Sequence, residues 1–209
     1  MEKKILSIDF DIIMYPCIRM YNTFGDGLLN ETELWDFLEH HYNFNEQSLN
    51  YDAKILMDIT RCIIKNVQNG AFFNAIKTHD QLVDLLKNQP DYDETTYSIV
   101  NIDFHHDLGY GDDSLNKITS FNQHDCTNWL SYLKLKNKTS NIEWIKAPNS
   151  EMPVEPMSDY LNAIKPIRDI YTLPTDFDEI YLCLSPQWIH PKFYHLFNFI
   201  TYVVDSLKE

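Results

Sequence analysis

Glycine is scarce in this chain of 209 residues, with five in all, and there is no Gly/Ser-rich stretch, low-complexity tract or internal repeat. Without a linker-like segment nothing marks a seam, and a length of this order supports a single domain, 1–209, with a full core. The four cysteines, Cys17, Cys62, Cys126 and Cys183, are scattered, with no C-x-x-C pair or other metal spacing. That pattern excludes a cysteine-built zinc knuckle and points to free buried thiols in a reducing cytoplasm. No apolar run approaches the roughly 20 residues that span a bilayer. Only Ile5, Leu6 and Ile8 precede Asp9 after the charged start, too few for a secretory signal core. The expectation is a cytoplasmic protein with no membrane partner. Basic residues are few as well, 17 against 31 acidic ones, for a net charge of −14. A nucleic-acid partner needs clustered Lys and Arg to displace counterions from phosphates, so none is expected. Long-range steering by an acidic chain would favour a cationic substrate, although such an excess is most often only a solvated face.

What the chain does have is apolar and aromatic mass: 44% hydrophobic residues, with 13 Tyr and 12 Phe. That is enough to pay the entropy of folding. Short apolar runs KKILSIDFD, TYSIVNIDFHHD, NIEWIKAP and DEIYLCLSP read as buried parallel strands, the last two stopped by proline. Helical patterns lie between them. Residues 30–42 open with a capping box in which Asn30 pairs with Glu33. YDAKILMDITRCIIKNVQNG carries Ile55, Ile59, Cys62, Ile63 and Val67 on one face and ends at Asn69-Gly70, a left-handed cap. THDQLVDLLKNQP pairs Thr78 with Gln81 in a second box and stops at Pro90; HDCTNWLSYLK, SDYLNAIKPIRDI and HPKFYHLFNFITYVVDSL complete the set. Strands alternating with helices imply an α/β fold with a largely parallel sheet, whose function gathers at the strands' carboxyl ends.

Two of those ends are loaded with ligand-type side chains. The first gives D-x-D at Asp9 and Asp11, the second D-x-H-x-D at Asp103, His105 and Asp107. On extended chain alternate residues share a face, so each motif makes a comb of donors. Four buried carboxylates brought together repel one another, and cations relieve the repulsion. Two divalent ions balance four carboxylates, and oxygen donors mixed with imidazole suit Mn²⁺ better than Fe²⁺ or Zn²⁺. His79 is the best further donor, because it opens a helix just after Thr78, where the helix N-terminus disfavours imidazolium and leaves a nitrogen lone pair free. The plainer alternative is that the aspartates cap loops, with His79 and His106 exposed.

These motifs resemble the ureohydrolase family of arginase and agmatinase, which carries a histidine, a D-x-H-x-D strand end and a separate D-x-D around two manganese ions. The D-x-D comes late in that family and first here, as though the chain were permuted and shortened. The order SIDFDIIMYP, NIDFHHDLGY, NWLSYL, IEWIKAPNS, LCLSPQW looks like the arginase-like peptide-modifying enzymes. The resemblance implies a three-layer α/β/α arginase-like fold and an arginine-containing ribosomal precursor peptide as substrate, converted to ornithine with release of urea. It also implies that Asp9 and Asp103 bridge two Mn²⁺ ions, with His79 and Asp107 on one and His105 and Asp11 on the other. A shared hydroxide would attack the guanidinium carbon, with Asp107 as its hydrogen-bond acceptor. His124 is the candidate proton shuttle, because it follows the metal strand and precedes a helix. Asp112, Asp113, Gln187, Trp129 and Trp188 are candidates to hold the guanidinium, none privileged. A homo-oligomer is compatible with the sequence.

Three rivals stand beside this. DFHHD also resembles the Asp-x-His element of the arginase-fold deacetylases, which use one metal. ILSIDFD resembles the nucleophile strand of haloacid-dehalogenase phosphatases, but DFDIIMYP departs from their small, Gly-containing continuation. A binding protein on a dead hydrolase scaffold would have lost a ligand, whereas all six positions are filled here.

Overall fold

The strands Glu2–Asp9 (β1), Phe72–Ile76 (β2), Thr96–Ile102 (β3), Thr139–Lys146 (β4), Ala163–Pro166 (β5) and Glu179–Cys183 (β6) form one all-parallel sheet in the order β2-β6-β1-β3-β4-β5. Residues 1–14, 31–41, 49–110 and 112–208 are described in this computed structural model. Helices Glu31–His41 (α1), Ala53–Gln68 (α2), His79–Lys87 (α3), Asp112–Phe121 (α4), Trp129–Leu135 (α5) and Tyr194–Asp205 (α6) accompany the strands. Ile55, Ile59 and Ile63 of α2 pack with Phe197, Ile200 and Val204 of α6 over Leu6, Ile8, Val100, Ile102, Ile180 and Leu182. The opposite face carries Leu82, Val83 and Leu86 of α3 with Trp129, Leu130 and Leu133 of α5, over Ile5, Tyr97, Ile99, Tyr181 and Cys183. This is a three-layer α/β/α fold.

Connectivity explains the two layers. From β1 the chain travels past β6 to β2, then turns back across β1 to β3 and β4. Right-handed crossovers in opposite directions deliver their helices to opposite faces, so α2 and α3 end on different sides. The reversal also opens a crevice at the carboxyl ends of β6, β1 and β3. Strand parity then selects its contents. Asp9 shares the face of Ile5, Cys183 that of Tyr181, and position 103 follows Ile102, the partner of Ile8 in register. All three therefore lie on the α3/α5 side.

Four strand expectations hold, and several local readings are corrected. The acidic motifs are not extended: β1 ends at Asp9 and the chain enters a 3-10 turn, Phe10–Met14, while β3 ends at Ile102 and Asp107 takes a left-handed φ of 53°. SDYLNAIKPIRDI is no helix but two short 3-10 turns around β5, since Pro166 carries no amide to donate. HDCTNWLSYLK is helical only from Trp129, and α4 and the edge strand β2 are additional elements. Thr78 makes no side-chain cap; Gln81 instead accepts the Lys77 amide at 2.8 Å. Asn30, and with it the first capping box, lies outside the described residues, as do Tyr42 and Cys17. The α2 helix is capped by Asp52, which accepts from the Lys54 and Ile55 amides, and Gly70 is left-handed at φ 98° as expected.

Gly109 is left-handed too, at φ 95°, and a Cβ there would lie 2.6 Å from Ser114 Cβ, whereas one on Gly70 would meet nothing within 4 Å. Gly70→Ala is expected to cost about 1–2 kcal/mol from backbone conformation alone. Gly109→Ala should cost clearly more, measured as free energy of denaturant unfolding, because strain and overlap add.

Candidate metal centre

Each candidate ligand is held by a different local device. The Asp11 amide donates to Asp9 Oδ1 at 3.0 Å, closing the turn that folds D-x-D back on itself. The His105 amide donates to Asp103 Oδ1 at 2.8 Å in the same way after β3, and Asn101 Nδ2 donates to Asp103 Oδ2 at 3.2 Å. Beyond these, the loop is tied to α5: the Leu130 amide reaches the Asp107 carbonyl, Ser131 Oγ the Leu108 carbonyl, and the Gly109 amide the Thr127 carbonyl. Trp129 Nε1 donates to Asp107 Oδ2 at 2.6 Å, and its ring stacks on His79 at 5.2 Å between centroids. Ser7 Oγ meets His79 Nε2 at 3.1 Å, which leaves Nδ1 turned toward the carboxylates.

The result is a buried assembly. Asp11 and Asp103 are fully buried, His79, Asp9 and Asp107 nearly so. His79 Nδ1 lies 3.0 Å from Asp107 Oδ2, 3.5 Å from Asp9 Oδ2 and 3.9 Å from Asp103 Oδ2. His105 Nδ1 lies 2.9 Å from Asp11 Oδ2 and 3.9 Å from Asp103 Oδ1. Two donor sets share Asp103, Asp11–Asp103–His105 and His79–Asp103–Asp107, each with ligand atoms within 4.8 Å of one another. Asp9 stands beside them, its Oδ2 accepting from Ser185 Oγ at 2.5 Å.

Burial, and after it the charge of Asp11, pushes the Asp9 carboxyl up to about 7. The Asp103 carboxyl is pushed well above its ordinary value by burial and then by Asp107, Asp9 and Asp11. Burial acts against the charged forms of His79 and His105, but the neighbouring Asp107 and Asp11 carboxylates override it and hold both imidazoles above their usual range. For Asp107 burial is outweighed by His79, with help from the Trp129 indole, and its carboxyl sits below the usual range. His106 is buried, not exposed; burial pushes its imidazole down to about 4, and its Nδ1 accepts the Leu108 amide. Among the described residues neither oxygen of Asp11 has a hydrogen-bond donor, and His105 Nε2 has no hydrogen-bond partner. Since buried carboxylates are otherwise hydrogen-bonded, the Asp11 carboxylate, whose Oδ2 faces the His105 imidazole at 2.9 Å and whose Oδ1 has no donor among the described residues, fits a cation. These buried Asp/His clusters could hold a metal ion.

Above the clusters is a cavity of about 240 Å³ with Asp9, His79, His105 and Asp107 in its floor. Phe104, Tyr110 and Trp188 supply aromatic wall, and Trp188 lies 4.6 Å from the His105 ring. Gln187 and Glu151 also line it; Glu151 is exposed and makes no hydrogen bond or ion pair among the described residues.

The six expected ligands thus converge, while the shuttle does not. His124 lies tilted against Tyr132 at 4.7 Å between ring centroids and reaches Asp84 and Lys87, in the half of α3 remote from His79, and it does not line the cavity. Trp129 is a buried support for Asp107 and His79 rather than a guanidinium platform, and the exposed Asp113 is not in the cavity wall. The side chain of Asp112 lies outside the described residues. Ser7, Ser185, Cys183 and Glu151 escaped the sequence reading. The parity of β1 and β6 was the available signal for Ser7 and Cys183; nothing local marks Ser185 or Glu151. No family model, curated protein or solved structure matches the chain.

A stability prediction follows from the carboxylates and imidazoles. Without metal, Asp9 binds its proton more tightly folded than unfolded, as do both imidazoles, so their contribution is lost as pH rises from about 4 to beyond 7. Asp103 acts in the same direction as Asp9; Asp107 acts oppositely at lower pH, and His106, its imidazole held down at about 4, opposes the trend up to about 6.5 and offsets part of the loss. Chelator-treated protein should melt at lower temperature near pH 7.5 than near pH 5, and added Mn²⁺ should remove the difference. A metal-free melting temperature that rises over this interval would contradict the assignment.

Proposed function

We propose that this chain is a binuclear manganese hydrolase that converts arginine side chains of a ribosomal precursor peptide to ornithine, releasing urea. The observation that carries the reading is the sharing of Asp103 between two buried donor sets. His79 and Asp107 would complete one set, Asp11 and His105 the other, with Asp9 adjoining both. The hard carboxylates and two imidazoles suit Mn²⁺, with Fe²⁺ or Zn²⁺ as weaker alternatives. Two such ions, when bound, supply Lewis acidity and a water that ionises near neutral pH.

The chain's own groups do the rest. The acidic floor attracts a cation, and the aromatic wall accepts the flat guanidinium and its aliphatic stem. Glu151, unpaired among the described residues, would take a charge-assisted hydrogen bond from guanidinium N–H groups that point away from the floor. Trp129 Nε1 fixes Asp107 Oδ2, so that this carboxylate keeps one orientation while it holds a proton in transit. Guanidinium and water give an ammonium group and neutral urea, so both protons of the consumed water end on the leaving amine. No distant shuttle is required, consistent with the position of His124.

The test is mass spectrometry of an arginine-containing peptide incubated with the Mn²⁺-loaded protein. A loss of ~42 Da per arginine is expected. Asp103→Ala should abolish the loss and lower bound manganese from two per chain to below one. Glu151→Gln should keep the manganese and raise KM roughly tenfold or more, as expected for a lost charge-assisted bond. Loss of an acetyl group from an acylated peptide, with arginine untouched, would replace this reading by that of a deacetylase.

A further inference from the structure

A third set of donors meets at the same end of the sheet: Asp9, His79 and Cys183, with ligand atoms within 4.8 Å of one another. All three side chains are buried. Cys183 closes β6 directly opposite Asp9 in register, on the face that holds His79 and Trp129. Among the described residues its sulfur makes only weak contacts, 3.3 Å to Ser185 Oγ and 3.6 Å to the Lys77 carbonyl, which an ion could replace at little cost.

The chemistry of this set differs from that of the two that share Asp103. Those offer carboxylate and imidazole; this one offers a carboxylate, an imidazole and a thiol. Sulfur donors discriminate strongly between metals, since Zn²⁺ and Co²⁺ bind thiolate well and Mn²⁺ poorly. His79 and Asp9 also belong to the manganese-type assembly, so an ion that draws them toward Cys183 withdraws His79 from Asp107 and Asp103.

We propose that Asp9, His79 and Cys183 form a thiolate-containing site for thiophilic divalent ions such as Zn²⁺ and Co²⁺, whose occupation competes with manganese loading of the clusters that share Asp103. The inference rests on the reading of those clusters as a metal centre, but not on the substrate. On binding, the S–H proton is released to solvent and a sulfur–metal bond forms, with no change of oxidation state. Zinc would thus lower manganese occupancy.

Cobalt reports the bond directly, because a thiolate on Co²⁺ gives an intense near-ultraviolet charge-transfer band that oxygen and nitrogen ligands do not. Titration of chelator-treated protein with Co²⁺ should produce the band in the wild type and in Cys126→Ser, a cavity-wall control, and lose it in Cys183→Ser. Manganese content, measured on separately loaded samples, should be equal in all three, showing that the serine variant is folded. Cobalt bound without the band, or a band that survives in Cys183→Ser, overturns the proposal while leaving the metal centre standing. Failure of the wild type to bind either ion would overturn both. Peptide hydrolysis does not enter the readout, so an inactive protein would refute the hydrolase reading alone.

Discussion

Electrostatic repulsion among Asp9, Asp11, Asp103 and Asp107 is the constraint on which this structure turns. Four carboxylates with little or no solvent contact cannot all be ionised in a medium of low dielectric without compensation. Protons can supply it in part, as the upward-shifted Asp9 and Asp103 carboxyls indicate, and the imidazoles of His79 and His105 can hold some of those protons. Cations would supply it fully. The unsatisfied oxygens of Asp11 mark where proton and hydrogen-bond compensation falls short.

The surrounding fold is arranged to maintain that stress. Three parallel strands end together, each on continuous apolar sequence that anchors it in the two cores. Tight turns then let the Asp9 and Asp103 carboxylates accept the backbone amides two residues on, those of Asp11 and His105. The indole of Trp129 joins α5 to the same point, since one ring both stacks on His79 and donates to Asp107. The opposite, amino-terminal edge of the sheet is of another kind: Glu179 there is hydrogen-bonded by Gln89 and Tyr181 and lies 3.4 Å from Lys3. That buried carboxylate is satisfied by hydrogen bonds from protein, whereas Asp11 at the other edge receives none among the described residues.

Legibility in the sequence followed the range of the interactions. The strands β1, β3, β4 and β6 could be read because central parallel strands are short continuous apolar runs. The edge strands could not: FFNAI exposes Phe72, and AIKP has four residues ending in proline. The acidic motifs were visible because their members are neighbours in the chain, and His79 because helix starts leave a local signature. Their conformation was not visible, since an extended comb and a pair of tight turns have the same spacing. His124 failed for a related reason: proximity in sequence to the metal strand says nothing about the path taken by residues 108–128, which carry it to the far half of α3. Ser185, Glu151 and the indole of Trp129 reach the centre through contacts made only when distant segments meet.

Electron paramagnetic resonance of the protein loaded with two equivalents of Mn²⁺ tests the shared role of Asp103 most directly. Two ions held by a common carboxylate are exchange-coupled, so the spectrum should show the many closely spaced hyperfine lines of a spin-coupled pair. A simple six-line signal that accounts for all the manganese would mean isolated ions, and the proposed two-metal centre would be wrong.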